Sequence, residues 1–274
     1  MKAGIIGGTG RMGKLFVPVF LRAGYEVLVS GRSTDLTAED LARQCDLVIV
    51  TVPIRNTVKV IDRIAPLMGP GQLLCDFTSL KKKPIEAMLK SKANVIGLHP
   101  MFGPTVSSIK SQTIIVCPAR VDDRKLSDLV AIFRKEGARC TIATPEEHDR
   151  MMAVVQGLTH YVTLCMAESI RRLGVDIGAT EEFTSPVYQI ELSLIGRLLS
   201  QDPELYADIL EENPYVPEVL AACRESAADL ETIVKKHDAP GFREFFEKNS
   251  NHLGTYCRKG QETTDMLIDC MVNR

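Results

Sequence analysis

The chain has 274 residues, 45% of them hydrophobic and 25% charged, a composition that excludes a disordered or collagen-like protein. No apolar stretch approaches the roughly 20 residues of a membrane helix, and the apolar run near residue 1 is too short for a signal peptide. The net charge of −2 is divided unevenly: residues 1–145 carry 21 Lys and Arg against 12 Asp and Glu, and residues 146–274 carry 12 against 23. The basic half suits an anionic ligand, but it lacks the long basic runs and aromatic residues of a nucleic-acid-binding surface. Neither a membrane nor a nucleic acid is therefore an expected partner.

Short β-rich runs alternate with helical stretches in the first half of the chain. The predicted strands are 2–7, 26–30, 47–52, 72–76, 95–98, 113–117 and 140–143, and helices are predicted around 11–23, 55–67 and 84–92. The first five strands are almost continuously apolar, which is typical of parallel strands buried on both faces. We therefore predict a doubly wound α/β domain over residues 1–144.

The β pattern ends near residue 145, where a helix begins. Thr144 is a favourable N-cap, Pro145 suits the first helical position, and Glu147 completes a capping box. The helical pattern continues to about residue 172, and proline and glycine divide the rest into further helices. The predicted breaks are Gly174, 185–186, 202–203, 213–214 and 239–241. We predict an all-helical domain over residues 145–274, packed directly on the first.

The eight cysteines show no CxxC spacing, so a zinc ribbon or a thioredoxin-like site is not expected, and we predict no metal site. They read as reduced structural thiols of a cytoplasmic protein.

A glycine-rich loop follows the first predicted strand and opens the first predicted helix. Gly8, Gly10 and Gly13 fit the GxGxxG pattern of dinucleotide-binding, Rossmann-type domains. The glycines permit a tight turn, and the helix N-terminus offers free N–H groups to a pyrophosphate. The predicted cofactor-binding residues of this loop are Gly8, Thr9, Gly10, Arg11, Met12 and Gly13.

The same loop fits a second pattern. Gly7, Gly10 and Gly13 match the GxxGxxG of short-chain dehydrogenases and of their non-catalytic NADP-sensing relatives. None of the six tyrosines is followed four residues later by the lysine of an active short-chain enzyme. This absence argues against such an enzyme and leaves an NADP sensor open.

The second predicted strand indicates the cofactor. NAD-binding folds place an acidic residue at its end to bond the ribose 2′-hydroxyl, but here Arg32 and Ser33 follow it. A guanidinium suits a 2′-phosphate, so NADP is preferred and NAD remains the alternative. Val52 and Pro53, after the third strand, are also predicted to contact the cofactor.

Candidate catalytic residues lie at the carboxyl ends of predicted strands, where open α/β sheets bind ligands. His99 follows an apolar strand directly, and an imidazole can take a proton from an alcohol as a hydride leaves the adjacent carbon. Ser79 is placed to orient that imidazole or the nicotinamide.

Three residues of the helical half are candidates for the substrate pocket. Gln156 and His160 are four residues apart and share a helix face. Arg197 lies within an apolar run, where a substrate carboxylate or an ion pair with a nearby acid would satisfy it.

Five segments together resemble the prephenate dehydrogenase family. They are GGTGRMG, the D-x-T-S-x-K pattern of residues 76–81, GLHPMFGP, HDRMMAVVQGLTHY and SPVYQIELSLIGRLLSQDPELYADI. They stand in the family's order and extend from residue 4 to about residue 213. The resemblance is greatest to archaeal members.

The resemblance implies oxidative decarboxylation of prephenate to 4-hydroxyphenylpyruvate, with hydride transfer to a nicotinamide, in tyrosine biosynthesis. It implies that His99 accepts the proton of the ring hydroxyl, that Ser79 positions His99, and that Arg197 binds a substrate carboxylate. Gln156 and His160 would line the pocket. Members of the family dimerise through the helical domain, so a homodimer is expected.

Three alternatives stay open at this point. Arogenate in place of prephenate is one, since family members differ in substrate. The second is the non-catalytic NADP-sensing protein, and the third is a reductase of small hydroxyacids or pyrroline carboxylate with a similar architecture.

Overall fold

The computed structural model describes residues 1–273. The chain divides into two compact units, the first made of residues 1–155 and 204–215 and the second of residues 156–203 and 216–274. The segment 204–215 thus belongs to the first unit although helices of the second unit precede and follow it. The boundary drawn at residues 144 and 145 from the sequence stays a prediction.

A seven-stranded sheet forms the centre of the first unit, with the order β2-β1-β3-β4-β5-β6-β7. The strands are Lys2–Ile6 (β1), Glu26–Ser30 (β2), Leu47–Val50 (β3), Leu73–Asp76 (β4), Asn94–Pro100 (β5), Thr113–Arg120 (β6) and Arg139–Ile142 (β7). Neighbours from β2 to β5 are parallel, whereas β6 is antiparallel to β5 and parallel to β7. All seven predicted strands are present.

Helices make up the rest of the regular structure. In chain order they are Arg11–Arg22 (α1), Ala38–Gln44 (α2), Ile54–Ile64 (α3), Lys82–Met88 (α4), Asp123–Lys135 (α5), Pro145–Met152 (α6), Thr159–Arg172 (α7), Ile177–Glu182 (α8), Pro186–Leu199 (α9), Pro203–Glu212 (α10), Val216–Lys235 (α11), Ala239–Leu253 (α12) and Tyr256–Val272 (α13). A 3-10 turn, Ala65–Leu67, follows α3, and a π-helical segment, Ala153–Leu158, separates α6 from α7.

The central strands β1, β3, β4 and β5 are buried on both faces of the sheet, which explains why they are almost continuously apolar. Along β3, Leu47 and Ile49 join a core cluster with Phe16 of α1 and Phe133 of α5, while Val48 and Val50 join another. The second cluster includes Leu41 of α2, Ile61 of α3 and Ile85 of α4. Helices on both faces confirm the doubly wound α/β fold.

The second unit is helical, as expected for the C-terminal part of the chain. It contains α7, α8, α9, α11, α12 and α13. Helices α7, α8, α12 and α13 contain no buried residue. Across residues 1–273, no helix combines the length and apolar character needed to cross a membrane.

Two boundaries follow the local chemistry read from the sequence. Thr144 and Glu147 form the expected capping box at the start of α6, and Ser185 caps α9 directly before Pro186. Helices α2 and α5, by contrast, were not predicted. Thr37 caps α2 with a capping box to Asp40, and Asp122 caps α5.

Candidate active site

The glycine-rich loop joins β1 to α1 at the carboxyl edge of the sheet. Gly7 has a φ of +84°, and a Cβ atom on it would lie 2.2 Å from the carbonyl oxygen of Thr51. A Cβ on Gly13 would lie 2.4 Å from the Cα of Gly8. Side chains are therefore excluded at these positions, and the backbone can approach a phosphate closely.

A cavity of about 590 Å³ opens beside this loop in the first unit. Five predicted cofactor-binding residues line it, namely Thr9, Gly10, Arg32, Val52 and Pro53. The other predicted residues, Gly8, Arg11, Met12, Gly13 and Ser33, are not among those that line it, and Met12 packs against the hydrophobic core. Arg63, which the sequence did not suggest, lines the cavity and is paired with Glu39 at 2.5 Å.

His99 lies near the carboxyl end of β5 and is 2% exposed. Its Nδ1 atom is 2.8 Å from Nε2 of His148, on α6. The other ring nitrogen of His148, Nδ1, is 2.8 Å from Oδ1 of Asp149. His99, His148 and Asp149 thus form a continuous buried line of hydrogen-bonding groups.

Backbone groups hold the carboxylate at the end of this line. The amides of Lys81 and Lys82 donate to Asp149 Oδ1 and Oδ2 at 2.8 and 3.0 Å. The side-chain amide of Asn213, which follows α10, donates to the carbonyl oxygen of Asp149 at 2.8 Å. Asp149 is therefore fixed by both the β4–α4 turn and the segment 204–215.

Burial keeps both imidazoles uncharged. It lowers the pKa of His99 well below the usual value, and electrostatic interactions with His148 and Lys81 lower it further. Burial also lowers the pKa of His148, against the opposing effect of the hydrogen bond with Asp149. At Asp149, burial raises the pKa, but hydrogen bonds from His148 and the two amides outweigh it and leave the pKa lowered. The site at neutral pH thus holds two neutral imidazoles and one carboxylate.

The D-x-T-S-x-K segment forms a hydrogen-bond network that reaches the residue preceding His99. Lys81 is completely buried and donates from Nζ to Asp76 Oδ2 and, at 2.7 Å, to the carbonyl oxygen of Leu98. The backbone amide of Thr78 also donates to Asp76 Oδ2, at 3.0 Å. This network ties the turn after β4 to the residue directly before His99. Ser79 lies in that turn, and its proposed action on His99 stays a prediction.

The remaining predicted site residues lie in the second unit. Gln156 is in the π-helical segment and His160 is in α7, where burial lowers the pKa of the imidazole. Arg197 is exposed on α9 and forms no ion pair within residues 1–273. The acidic partner that the sequence left open for Arg197 is therefore not found within the described chain.

His148 is the residue that sequence reasoning missed. The sequence analysis also gives no role to Asp149 or to Lys81. The available signal was a His-Asp pair one turn into a well-capped helix that follows the last predicted strand. No clusters of His, Cys, Asp and Glu suited to a metal ion occur in residues 1–273.

Two family models match the chain. Residues 29–142 match the nucleotide-binding domain of prephenate dehydrogenase, and residues 144–248 match its dimerization domain. The chain belongs to the prephenate dehydrogenase family. This result confirms the resemblance found in the five sequence segments and places the chain in a family of oxidoreductases.

Individual relatives agree with this assignment. The chain is 35% identical to a probable arogenate/prephenate dehydrogenase of Methanocaldococcus jannaschii, over 96% of this chain and 64% of that protein. It is 33% identical to a T-protein of Haemophilus influenzae, over 96% of this chain and 70% of that protein. The chain thus spans just under two thirds of the length of the Methanocaldococcus relative.

A solved structure shares the fold. Prephenate dehydrogenase from Aquifex aeolicus, in complex with hydroxyphenyl propionate and NAD+, superposes with a TM-score of 0.72 at 19% identity. The match covers 92% of this chain and 97% of that one. The nucleotide-binding family model and the glycine loop, in which Gly7 and Gly13 leave no room for a side chain, both support a nicotinamide dinucleotide as cofactor.

Proposed function

We propose that this chain is a prephenate dehydrogenase of tyrosine biosynthesis that uses NADP. It would convert prephenate to 4-hydroxyphenylpyruvate and CO2. The observation that carries the proposal is the buried, uncharged His99 at the carboxyl edge of the sheet that also bears the glycine loop. A neutral imidazole there is a base ready to accept a proton from a substrate hydroxyl.

Each predicted site residue has a part in this reaction. The bound nicotinamide supplies the hydride acceptor. His99 accepts the hydroxyl proton, and Ser79 helps to orient it. Arg197 binds a substrate carboxylate as a bidentate partner, while Gln156 and His160 line the pocket around the substrate side chain. Loss of the ring carboxylate as CO2 then restores aromaticity and drives the reaction forward.

The lining of the cavity favours NADP over NAD. Arg32 and Arg63 line it, and none of its lining residues is acidic. An NAD site needs a carboxylate for the ribose 2′-hydroxyl, whereas a guanidinium suits a 2′-phosphate.

Arogenate is the second candidate substrate. The name of the Methanocaldococcus relative includes both arogenate and prephenate dehydrogenase. The two substrates differ in bearing a side-chain amine or ketone, so the same base and carboxylate-binding arginine serve either.

The second unit supports a homodimer through the helical domain. Large hydrophobic side chains are exposed on it, among them Leu173, Phe183, Phe246 and Met266. Such exposure is unusual for a monomer and is typical of an interface.

All eight cysteines are free thiols, which supports a cytoplasmic location.

A rate comparison tests the proposal. The purified protein is given prephenate or arogenate with NADP or NAD, and reduced nicotinamide is followed by absorbance. We expect turnover of prephenate with a strong preference for NADP. Turnover of arogenate alone would move the substrate assignment. Binding of NADP without turnover of either substrate would favour the non-catalytic sensor.

A further inference from the structure

The hydrogen bonds around His99 determine where its proton lies. A carboxylate only accepts, so Nδ1 of His148 must carry the proton that is shared with Asp149. Because His148 is neutral, its Nε2 then has a lone pair and no proton. The 2.8 Å contact between this Nε2 and Nδ1 of His99 requires one proton, which must belong to His99. His99 is therefore the Nδ1–H tautomer, and its Nε2 is the unprotonated base.

Asp149 is rigid enough to enforce this order. Its carboxylate accepts from two backbone amides as well as from His148, and the side chain is 2% exposed. Rotation of the carboxylate would break all three hydrogen bonds in a buried site, which is costly. The carboxylate thus selects the tautomer of His148, and His148 selects that of His99.

We propose that His148 and Asp149 are positioning residues that form a proton relay behind His99. The proposal rests on the proposed dehydrogenase function. His99 takes the hydroxyl proton on Nε2 and passes its other proton, from Nδ1, to Nε2 of His148. The positive charge comes to rest on His148, in direct contact with the carboxylate of Asp149.

The atoms and charges balance in this step. The substrate O–H bond breaks and the Nε2–H bond of His99 forms. The Nδ1–H bond of His99 breaks and the Nε2–H bond of His148 forms, while the hydride leaves separately to the cofactor. After product release the same transfers run backward and return the proton through His99 to water. No further reactant is needed.

The surrounding charged groups favour placing the positive charge on His148 rather than on His99. Asp149 contacts His148 directly, while Lys81 opposes a positive charge on either imidazole. Asp76 pairs with Lys81 and favours a charged His148. The buried thiol of Cys117, on β6, stays neutral because burial raises its pKa to about 12.

The His148→Gln variant distinguishes a proton relay through His148 from a role in which His148 only orients His99. The glutamine oxygen can accept the Nδ1–H of His99 and keep its tautomer, but it cannot take up the proton. We expect kcat to fall by about 10²-fold, the lower end of the range for a positioned acid or base, with little change in KM. The acid limb of kcat should also move to lower pH, because the proton must then remain on the buried His99.

Asp149→Asn tests the other end of the line. The amide can donate to Nδ1 of His148 and reverse both tautomers, which would leave His99 without a free base. The corresponding change in the serine-protease triad lowers kcat by about 10⁴-fold. We expect a loss between about 10² and 10⁴-fold here, again with the acid limb moved to lower pH. If this variant does not fold, His148→Gln decides the question alone.

A measurement independent of activity completes the test. Long-range ¹H–¹⁵N correlation spectra distinguish the two histidine tautomers, and the chain has only five histidines to assign. We expect Nδ1–H tautomers at His99 and His148 in the wild-type protein. The relay is overturned by an Nε2–H tautomer at His99, or by wild-type kcat and pH profile in His148→Gln. If the wild-type protein turns over neither substrate, the proposed function fails, while the spectra still decide the proton positions.

Discussion

Lys81 and Asp76 form an ion pair in which both side chains are completely buried. The same ammonium donates to the carbonyl oxygen of Leu98, and the backbone amide of Lys81 donates to Asp149. One lysine therefore connects the turn after β4 to the strand of His99 and to the carboxylate behind His148. The D-x-T-S-x-K pattern thus has a structural role, since its Asp and Lys form the buried ion pair that links the loop to the strand of His99.

Lys81→Met should destabilise the protein strongly, because it leaves the buried charge of Asp76 without its cationic partner. Removing one member of a buried pair costs about 3–5 kcal/mol. Urea unfolding measures the loss. Lys83→Met is the matched control, since Lys83 forms an exposed pair with Glu212 that should contribute less than about 1 kcal/mol. Equal losses in the two variants would contradict the role given to Lys81.

His99→Asn should remove the base and leave the fold intact. We expect kcat to fall by about 10²–10⁴-fold while KM and cofactor affinity change little. Steady-state kinetics and a cofactor titration measure these quantities. His252→Asn, at an exposed position of α12, should behave as wild type. An unchanged kcat in His99→Asn would exclude His99 from catalysis.

The strands could be predicted because parallel strands buried on both faces leave a continuous apolar run in the sequence. The cofactor loop could be predicted because its glycine spacing is local. The contact between His99 and His148 could not, since 49 residues separate them and only the docking of α6 brings them together. Spacing along the chain carries no information about such a contact.

The prediction for Arg197 shows a second limit. Its leucine and isoleucine neighbours suggested burial, but on α9 only Ile195 and Leu198 are buried while Leu194 and Leu199 are exposed. The helical period therefore places Arg197 on the exposed side, although the sequence around it is apolar throughout.

Arg197→Gln should raise KM for the substrate and leave the affinity for cofactor unchanged. A charge-assisted hydrogen bond contributes about 1.5–3 kcal/mol, which corresponds to roughly 10–150-fold in KM. Because Arg197 forms no ion pair in residues 1–273, its loss should not affect the unfolding free energy. Arg243→Gln, an exposed change on α12, is the control. A loss of stability with normal KM would assign Arg197 a structural role instead.

Arg32→Asp should shift cofactor preference from NADP toward NAD. The change removes the partner of the 2′-phosphate and supplies a carboxylate for the 2′-hydroxyl. We expect kcat/KM for NADP to fall by about 10–150-fold, as for the loss of one charged hydrogen bond. Arg124→Asp, on the exposed face of α5, changes the net charge equally and controls for the overall field. An unchanged NADP preference would remove Arg32 from cofactor selection.

The two buried histidines should also make the protein less stable in mild acid. Burial lowers the pKa of His99 and of His148, so below about pH 6.5 the unfolded chain binds protons that the folded chain does not. The contribution of the two histidines to the unfolding free energy is therefore complete above about pH 6.5. It is lost as the pH falls toward the pKa values of the folded state. Each histidine contributes a slope of up to about 1.4 kcal/mol per pH unit in this range. The test measures the unfolding free energy between pH 7.5 and 5.5. It compares the wild-type protein with His99→Asn and with the exposed control His252→Asn. His99→Asn should reduce the slope and His252→Asn should not; a slope that neither variant changes would mean that the buried imidazoles do not control acid stability.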